Sequence, residues 1–268
     1  MPKFISLQGM SQANHLVLYP DKKLYFLSDL HLGAQSYGQS LPREKNLVRF
    51  LDHIKENAQA VYFVGDTFDF WFEYGEAVPK YFSRFLAKVA ELREEGIEIY
   101  FFKGNHDLWL RDYLVRELGA VVVEDELEFH CREKSFFITH GDGKGPGDRK
   151  YKLLKMIFTN PVCRFLFRWL HPDIGIKIAH LWSNSNFTDP RIERFKGEDK
   201  EWLIQYARQK IKEAPYNYLL MGHRHLPMDI PLNETSRYIN LGDWLYNNTY
   251  AVFDGDDLQL IKFENPEI

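Results

Sequence analysis

Gly104-Asn105-His106-Asp107 is the stretch on which the interpretation of this sequence depends. It directly follows Ile97-Glu98-Ile99-Tyr100-Phe101-Phe102, an apolar run with the length and composition of a buried strand. Open α/β sheets carry their chemistry at the carboxyl ends of their strands. Asparagine, aspartate and histidine are metal ligands, and histidine is also a proton donor. Their position directly after a strand therefore predicts a functional site at a sheet edge.

Four more polar clusters follow four other strand-like runs. They are Asp29-Leu30-His31 after 24–28, Gly65-Asp66-Thr67-Phe68-Asp69 after 60–64, His140-Gly141-Asp142 after 135–139, and Gly222-His223-Arg224-His225 after 216–221. Each cluster alone is more often structural, for example a capping aspartate beside a hydrogen-bonded histidine. Five clusters of one kind, each just past a strand, are not expected by chance, and we interpret them as one site.

The order of strands and helices predicts how these clusters meet. Helical periodicity over 42–57 separates the strands at 24–28 and 60–64. Such a strand–helix–strand unit connects parallel strands by a right-handed crossover, which brings Asp29 and Asp66 to the same sheet edge. Further helices are predicted over 79–95, 107–118 and 198–213, and short runs at 120–123, 127–131 and 135–139 predict a second, more antiparallel part. Strands are also expected over 236–241, 248–253 and 258–263, with a turn at Asp254-Gly255.

Composition excludes several classes of protein. The chain has 268 residues, 45% of them hydrophobic, and can bury a large core. A net charge of −4 is not typical of a nucleic-acid-binding domain. Only two cysteines are present, so a disulfide framework is not expected and a reducing, cytoplasmic location is predicted. No secretory signal or membrane-spanning apolar run is recognised.

Residues 144–196 differ in character from the rest of the chain. Leu, Ile, Phe and Trp dominate this segment between Tyr151 and Trp182, and basic residues outnumber acidic ones. Pro161, Pro172 and Gly175 are expected to divide it into short helices. An ordinary helical subdomain is one interpretation, and a basic, apolar lid that touches a membrane surface or an acyl-chain substrate is the other. We expect one domain over 1–268, with this segment as its insertion.

The donor atoms of the five clusters suit two divalent cations. Two aspartates, one asparagine and four histidines form a mixed nitrogen and oxygen set without thiolate, which suits Mn²⁺, Zn²⁺ or Fe²⁺. Seven ligands exceed the four of a tetrahedral site. They fit two ions that share one carboxylate, as in other two-metal hydrolytic sites.

The five clusters, in this order, resemble the five sequence blocks of the calcineurin-like metallophosphoesterases. The resemblance spans residues 24–225 and implies a four-layer α/β fold, an αββα sandwich of two mixed sheets. It implies two metal ions, Mn²⁺ first among the candidates, with Asp66 as the shared ligand. The implied ligands are Asp29, His31, Asp66 and His225 for one ion, and Asp66, Asn105, His140 and His223 for the other.

The same resemblance implies chemistry on phosphorus. Two cations would acidify a water molecule that attacks the phosphorus atom and would neutralise charge on its other oxygens. His106 would stabilise the transition state or protonate the leaving oxygen, and Asp107 would orient His106. Asn105, His106 and His223 would also contact the substrate.

A narrower resemblance concerns the insertion. Gly65-Asp66-Thr67-Phe68-Asp69-Phe70-Trp71 and the aromatic, basic segment before residue 190 are similar to the UDP-2,3-diacylglucosamine pyrophosphatases, which cleave a nucleotide lipid to a diacylglucosamine 1-phosphate and UMP. By position, Asp148 and Tyr151 would contact the sugar. The resemblance implies a nucleoside-diphosphate lipid as substrate and peripheral contact with the inner membrane through the lid.

Two positions depart from that narrower pattern. His106 stands where those pyrophosphatases carry arginine, and Arg224 stands where they carry threonine; histidine at 106 is the residue of the wider superfamily. Another phosphodiesterase or phosphatase acting on a nucleotide or small phosphoester is therefore the alternative. A non-catalytic scaffold of the same fold is a minor alternative. The complete set of seven ligands argues against it. No nucleic-acid partner is expected, and the oligomeric state stays open.

Overall fold

The computed structural model describes residues 15–35, 37–144, 149–186 and 194–264. The described strands are β1 His15–Leu16, β2 Lys23–Leu27, β3 Ala58–Phe63, β4 Glu98–Phe102, β5 Val121–Val123, β6 Glu126–Cys131, β7 Lys134–Thr139, β8 Tyr218–Met221, β9 Met228–Pro231, β10 Arg237–Asn240, β11 Thr249–Phe253 and β12 Leu258–Lys262. The described helices are α1 Tyr37–Ile54, α2 Ser83–Glu94, α3 Tyr113–Arg116, α4 Arg149–Thr159, α5 Pro161–Arg168, α6 Pro172–Asn186 and α7 Trp202–Glu213.

These strands form two mixed sheets of six strands each. The first sheet has the order β12-β11-β2-β3-β4-β5, in which β2 to β5 run parallel and β11 is antiparallel to β2. The second has the order β1-β6-β7-β8-β10-β9, in which β7, β8 and β10 run parallel. Because parallel strands end at the same edge, the turns after β2, β3 and β4 are neighbours, as are those after β7 and β8.

Three apolar clusters hold four layers together. The helices α1 and α2 pack on the outer face of the first sheet through side chains such as Phe50 and Phe85. The two sheets face each other through a second cluster that includes Phe26, Tyr62 and Phe136. Helix α7 covers the outer face of the second sheet. The predicted αββα sandwich is confirmed.

The region after β4 differs from the prediction. A helix was expected over 107–118, but α3 covers one turn, Tyr113–Arg116. The buried carboxylate of Glu73 accepts hydrogen bonds from the backbone N–H groups of Arg111, Asp112 and Tyr113. These bonds come from a distant part of the chain and set the start of α3, so helical periodicity alone placed it too early.

Three smaller predictions also need correction. The run at 120–123 does not belong to the second sheet, because β5 pairs parallel with β4 at the edge of the first. Helix α1 begins at Tyr37 and contains Pro42, which was expected in its first turn. Gly175 does not break the insertion, since it lies inside α6, whereas Pro161 and Pro172 do begin new helices.

The described part of the insertion between β7 and α7 contains the helices α4, α5 and α6. It rests on the core through a small aromatic cluster, in which Phe70, Phe72 and Tyr74 meet Trp109 and Phe167. The indole nitrogen of Trp109 donates a hydrogen bond to the carbonyl of Phe158 at 2.8 Å. Among the helices that the structure describes, none is both long and apolar enough to span a bilayer.

Candidate metal centre

All five polar clusters meet at one edge of the two sheets. The backbone joins them directly: Asp29 N donates to Gly65 O at 3.2 Å, His31 N donates to Asp66 O at 2.9 Å, and Gly222 N donates to His140 O at 3.0 Å. The first two bonds lie beside β2 and β3, and the third links the ends of β7 and β8. The turns that carry the predicted ligands therefore extend the pairing of the strands that precede them.

The backbone of this edge is strained. Five of the seven predicted metal ligands adopt left-handed conformations with φ between 43° and 66°, namely Asp29, His31, Asp66, His223 and His225. Side chains other than glycine seldom adopt such angles, and residues held in them concentrate at functional sites. The surrounding sheets hold these turns in place, so the donor atoms are oriented before any ligand binds.

Two glycines allow the clusters to approach each other closely. A Cβ atom added at Gly104 would lie 2.2 Å from Asp66 Oδ1. One added at Gly222 would lie 1.9 Å from Ser28 Oγ and 2.6 Å from Asp29 Oδ2. Any side chain at either position would displace a predicted ligand, which gives the glycines of the motifs a physical role.

One group of donors consists of Asp29, His31 and His225. Asp29 Oδ1 lies 3.7 Å from His31 Nε2 and 3.3 Å from His225 Nε2. Asp29 Oδ1 and His31 Nε2 are buried, and neither has a hydrogen-bond partner among the described residues. A buried polar atom without a partner is costly, and a cation bound between these atoms would satisfy both. The three side chains are close enough to hold one ion.

A second group consists of Asp66, His140 and His223, with Asn105 between the histidines. Asp66 Oδ2 lies 3.2 Å from His140 Nε2, and Asn105 Oδ1 lies 3.3 Å from His140 Nε2 and 2.8 Å from His223 Nδ1. The same Asp66 Oδ2 lies 3.8 Å from His31 Nε2 of the first group. Asp66 thus stands between the two groups, as a shared ligand would.

The electrostatics of the site favour positive charge. Burial alone would lower the pKa of His31, but the nearby Asp29, Asp69 and Asp66 raise it to about 10. The pKa of His140 is likewise raised to about 10, because Asp66 outweighs the effect of burial. The carboxylates therefore create a negative potential that stabilises a positive charge, and a divalent cation would benefit from it more than a proton does.

His106 lies at the rim of this site, about a quarter exposed. Its Nδ1 lies 3.0 Å from the carbonyl oxygen of Asp69 and 3.5 Å from Asp69 Oδ1. A carbonyl oxygen only accepts hydrogen bonds, so Nδ1 carries the proton and Nε2 is left for the substrate. Asp69 Oδ1 also lies 3.5 Å from His31 Nδ1, so one carboxylate orients both imidazoles.

Asp107 does not contact the imidazole of His106. Its buried carboxylate accepts hydrogen bonds from the backbone N–H groups of Gly104 at 2.8 Å, Thr67 at 2.8 Å and Phe68 at 3.3 Å. Burial and the charge of Asp66 raise the pKa of Asp107 to about 7. Asp107 therefore ties the turn after β4 to the turn after β3, and Asp69 is the residue that orients His106.

Two supporting residues were missed by the sequence analysis. Arg43 of α1 donates a hydrogen bond from Nη1 to the carbonyl of His31 at 2.5 Å, beneath the strained turn. The buried carboxylate of Asp243 lies 3.7 Å from His225 Nδ1. A signal for Asp243 was present, because Leu241-Gly242-Asp243 follows a strand just as Gly65-Asp66 does. Arg43, on a helix distant in sequence, offers no such signal.

Two predicted substrate contacts cannot be located. Asp148 lies outside the described residues, and Tyr151 belongs to α4 but its side chain lies outside them as well. The helix of Tyr151 is anchored near the site, because Lys155 Nζ contacts the buried Asp142 Oδ2 at 2.6 Å, two residues after His140. The insertion thus begins next to the metal centre.

Two proteins with assigned names are similar in sequence to this chain over most of its length. A UDP-2,3-diacylglucosamine hydrolase from Porphyromonas gingivalis is 39% identical over 91% of this chain and 99% of its own length. A protein of the same name from Yersinia pestis is 24% identical over 89% of this chain and 98% of its own.

Two solved structures resemble this one at lower identity. A predicted phosphoesterase from Streptococcus pneumoniae is 14% identical, with 90% of this chain and 89% of that chain covered and a TM-score of 0.42. Zinc-complexed Vps29 from Entamoeba histolytica is 12% identical, with 89% of each chain covered and a TM-score of 0.42.

The sequence model of one family covers most of the chain. It is described as calcineurin-like phosphoesterase and matches residues 22–227, a range that contains every one of the five clusters. Enzymes of this kind are hydrolases that depend on divalent metal ions, in agreement with the donor groups at the sheet edge. This protein belongs to the calcineurin-like phosphoesterase family.

Proposed function

We propose that this protein hydrolyses the diphosphate of UDP-2,3-diacylglucosamine to 2,3-diacylglucosamine 1-phosphate and UMP. The observation that carries the proposal is the position of Asp66, within 3.8 Å of His31 in one donor group and 3.2 Å of His140 in the other. The name of the Porphyromonas gingivalis relative, which is 39% identical over nearly its whole length, supports this substrate.

In this proposal, two divalent cations occupy the metal centre. Asp29, His31, Asp66 and His225 hold one ion, and Asp66, Asn105, His140 and His223 hold the other. Asp29 Oδ1 and His31 Nε2, which have no hydrogen-bond partner in the part of the chain that the structure describes, support the fit. Bound there, the cations supply Lewis acidity that lowers the pKa of a water molecule and polarises the phosphoryl oxygens. The donors suit Mn²⁺, Zn²⁺ or Fe²⁺, and Mn²⁺ is our choice for the first assays.

His106 acts on the substrate from the rim of the centre. Because its Nδ1 proton is held by the carbonyl of Asp69, Nε2 is the atom that faces reacting groups. A proton held at Nε2 would stabilise charge on the phosphoryl group or pass to the leaving oxygen. We retain Asp107 as a residue required for catalysis, in this case because it fixes the turn that carries Asn105 and His106.

The insertion serves the lipid part of the substrate. Ten large apolar side chains of α4 to α6 and their connections are exposed by 38% to 77%: Met156, Ile157, Val162, Phe165, Leu166, Trp169, Leu170, Ile174, Ile178 and Leu181. A soluble substrate needs no such surface, whereas acyl chains and a bilayer both cover it. We therefore propose that the insertion is a lid that takes the acyl chains and contacts the inner membrane from the cytoplasmic side. In this proposal Asn105, His106, Asp148, Tyr151 and His223 contact the head of the substrate.

The test is release of UMP from UDP-2,3-diacylglucosamine in detergent micelles with added Mn²⁺. Bis-p-nitrophenyl phosphate, a small diester without acyl chains, is assayed in parallel. We expect UMP release that a chelator abolishes and that Mn²⁺ restores. Hydrolysis of the small diester alone would contradict the proposed substrate and favour the simpler phosphodiesterase that histidine at position 106 also fits. Absence of turnover on both would contradict the enzymatic role.

A further inference from the structure

A cavity lies between the insertion and the core, apart from the metal centre. Its volume is about 260 Å³, and its walls include the aromatic rings of Phe72 and Trp109. None of the seven proposed metal ligands lines it, nor does His106. Three arginines do: Arg111 from the loop before α3, and Arg164 and Arg168 from α5. The chemistry proposed for the metal centre makes no use of this cavity.

Within the described ranges, no carboxylate forms a salt bridge with any of the three arginines, and Glu124 and Glu73 act on Arg164 only at longer range. None of their guanidinium groups forms an ion pair or a side-chain hydrogen bond there. Glu73 also lines the cavity, but its two oxygens already accept hydrogen bonds from Trp71 Nε1 and from three backbone N–H groups near α3. Three cationic groups and one carboxylate leave an excess of positive charge around a small space.

Arg164 is the most informative member of the group. It is half-buried, and both burial and the charge of Arg111 lower its pKa. The charges of Glu124 and Glu73 raise this pKa, but they offset only part of the decrease. Two guanidinium groups that repel each other at a partly buried position are unfavourable in the free protein. A phosphate group relieves this repulsion, because its oxygens match the planar fork of each guanidinium.

Helix α5 connects this cavity to an exposed apolar stripe. Val162, Phe165, Leu166 and Trp169 follow the i, i+3, i+4, i+7 spacing of one helix face, and they are exposed by 58% to 77%. Phe165 belongs both to the stripe and to the cavity wall. A bilayer that covers the stripe would bring its anionic headgroups beside the arginines of the same helix.

We propose that this cavity binds the phosphate group of an anionic lipid headgroup through Arg111, Arg164 and Arg168, and thereby fixes the insertion on the membrane. The inference rests on the membrane contact proposed above and adds a specific ligand site to it. The volume is below the roughly 300–1,000 Å³ of sites for drug-sized ligands, which suits a headgroup phosphate better than a whole nucleotide.

The test measures binding of the full-length protein to vesicles, in the absence of any UDP substrate. Vesicles of phosphatidylcholine with phosphatidic acid are compared with phosphatidylcholine alone, for the wild type and for Arg111→Gln, Arg164→Gln and Arg164→Lys. Lys177→Gln, which removes one exposed charge of α6 outside the cavity, is the matched control. Thermal unfolding verifies that each variant is folded.

We expect Arg111→Gln and Arg164→Gln to weaken binding to phosphatidic acid vesicles at least about thirtyfold, and Lys177→Gln about fivefold, the effect of one charge near an anionic bilayer. Arg164→Lys keeps the charge but loses the planar fork, so we expect a loss of at least about fivefold. Equal losses in the three glutamine variants, with none for Arg164→Lys, would overturn the proposal in favour of diffuse attraction.

Inorganic phosphate distinguishes a lipid from a soluble source. Calorimetric titration with phosphate should give weaker binding than the vesicles do, with the same dependence on Arg164. Phosphate binding that depends on Arg164 while the vesicle affinity does not would overturn the lipid assignment. These assays contain no UDP substrate, so a negative result would not contradict the proposed hydrolysis. Likewise, absence of UMP release would not contradict phosphate binding in the cavity.

Discussion

The metal centre and the insertion are built in opposite ways, although they are adjacent. At the centre, Asp29, Asp66 and His140 are at most 1% exposed, and Asp29 and Asp66 lie on strained turns at the sheet edge. In the insertion, among the residues between 152 and 181 whose burial the structure describes, Gly175 alone is buried, so no described side chain is. A few contacts tether it, such as those of Lys155 to Asp142 and of Trp109 to Phe158.

The two regions differ because their roles have different structural requirements. Donor atoms must be fixed before a cation binds, and buried strand ends supply that rigidity. A surface that receives acyl chains must instead remain exposed until they arrive. We therefore expect substitutions at the centre to affect chemistry on every substrate, and substitutions in the insertion to affect lipid substrates alone.

The largest effect is expected for Asp66→Asn. Replacing the shared carboxylate by an amide keeps its shape but removes the charge between the two donor groups. Turnover of both substrates should fall at least about 10³-fold, as when a preorganised charge-stabilising group is lost. Metal content measured by mass spectrometry should fall with it. Asp256→Asn, at an exposed carboxylate, is the control, and full activity of Asp66→Asn would contradict the shared-ligand assignment.

His106→Ala should separate metal binding from catalysis. We expect the metal content to stay at the wild-type level while turnover falls about 10²- to 10⁴-fold, the usual contribution of general acid–base catalysis. His106→Arg keeps a cationic side chain at this position but removes the imidazole, and it sharpens the test. Rescue by arginine would indicate that charge rather than proton transfer is needed, and an unchanged rate for His106→Ala would remove the residue from the mechanism.

Asp69→Asn should have an intermediate effect. The carboxylate orients the imidazoles of His31 and His106 without belonging to either proposed ligand set. Residues that orient metal ligands typically contribute about 10- to 100-fold to metal affinity or activity. Titration with Mn²⁺, monitored by calorimetry, should show that loss. An affinity equal to that of the wild type would mean that packing alone orients His31.

Trp169→Gln should have the smallest effect and the most selective one. This side chain, directly after the last residue of α5, is 77% exposed, so its removal should leave thermal stability unchanged. We expect the KM for micellar UDP-2,3-diacylglucosamine to rise about tenfold, since burial of one large apolar side chain contributes roughly 1.5–3 kcal/mol. The rate on bis-p-nitrophenyl phosphate should not change. Equal losses on both substrates would break the distinction between the two regions.

The sequence predicted the centre better than it predicted the elements around it. Apolar runs of strand length followed by Asp, Asn or His located all five clusters, because a strand and its terminal turn are local features. The prediction of a helix over 107–118 was wrong, because the start of α3 depends on a hydrogen bond to Glu73, which is distant in the chain. The strand at 121–123 was assigned to the wrong sheet, because pairing with β4 is not encoded in its own residues.

The sequence by itself determined the chemistry of this protein: which donor atoms are present, that each follows a strand, and that a basic, apolar segment interrupts the second half. Those properties depend on residue type and short-range spacing. Only the tertiary structure decided that Asp69 rather than Asp107 orients His106, that Arg43 and Asp243 support the ligands, and that three arginines surround one cavity. Such relations join residues distant in the chain, and they exist only once the two sheets have brought their strand ends together.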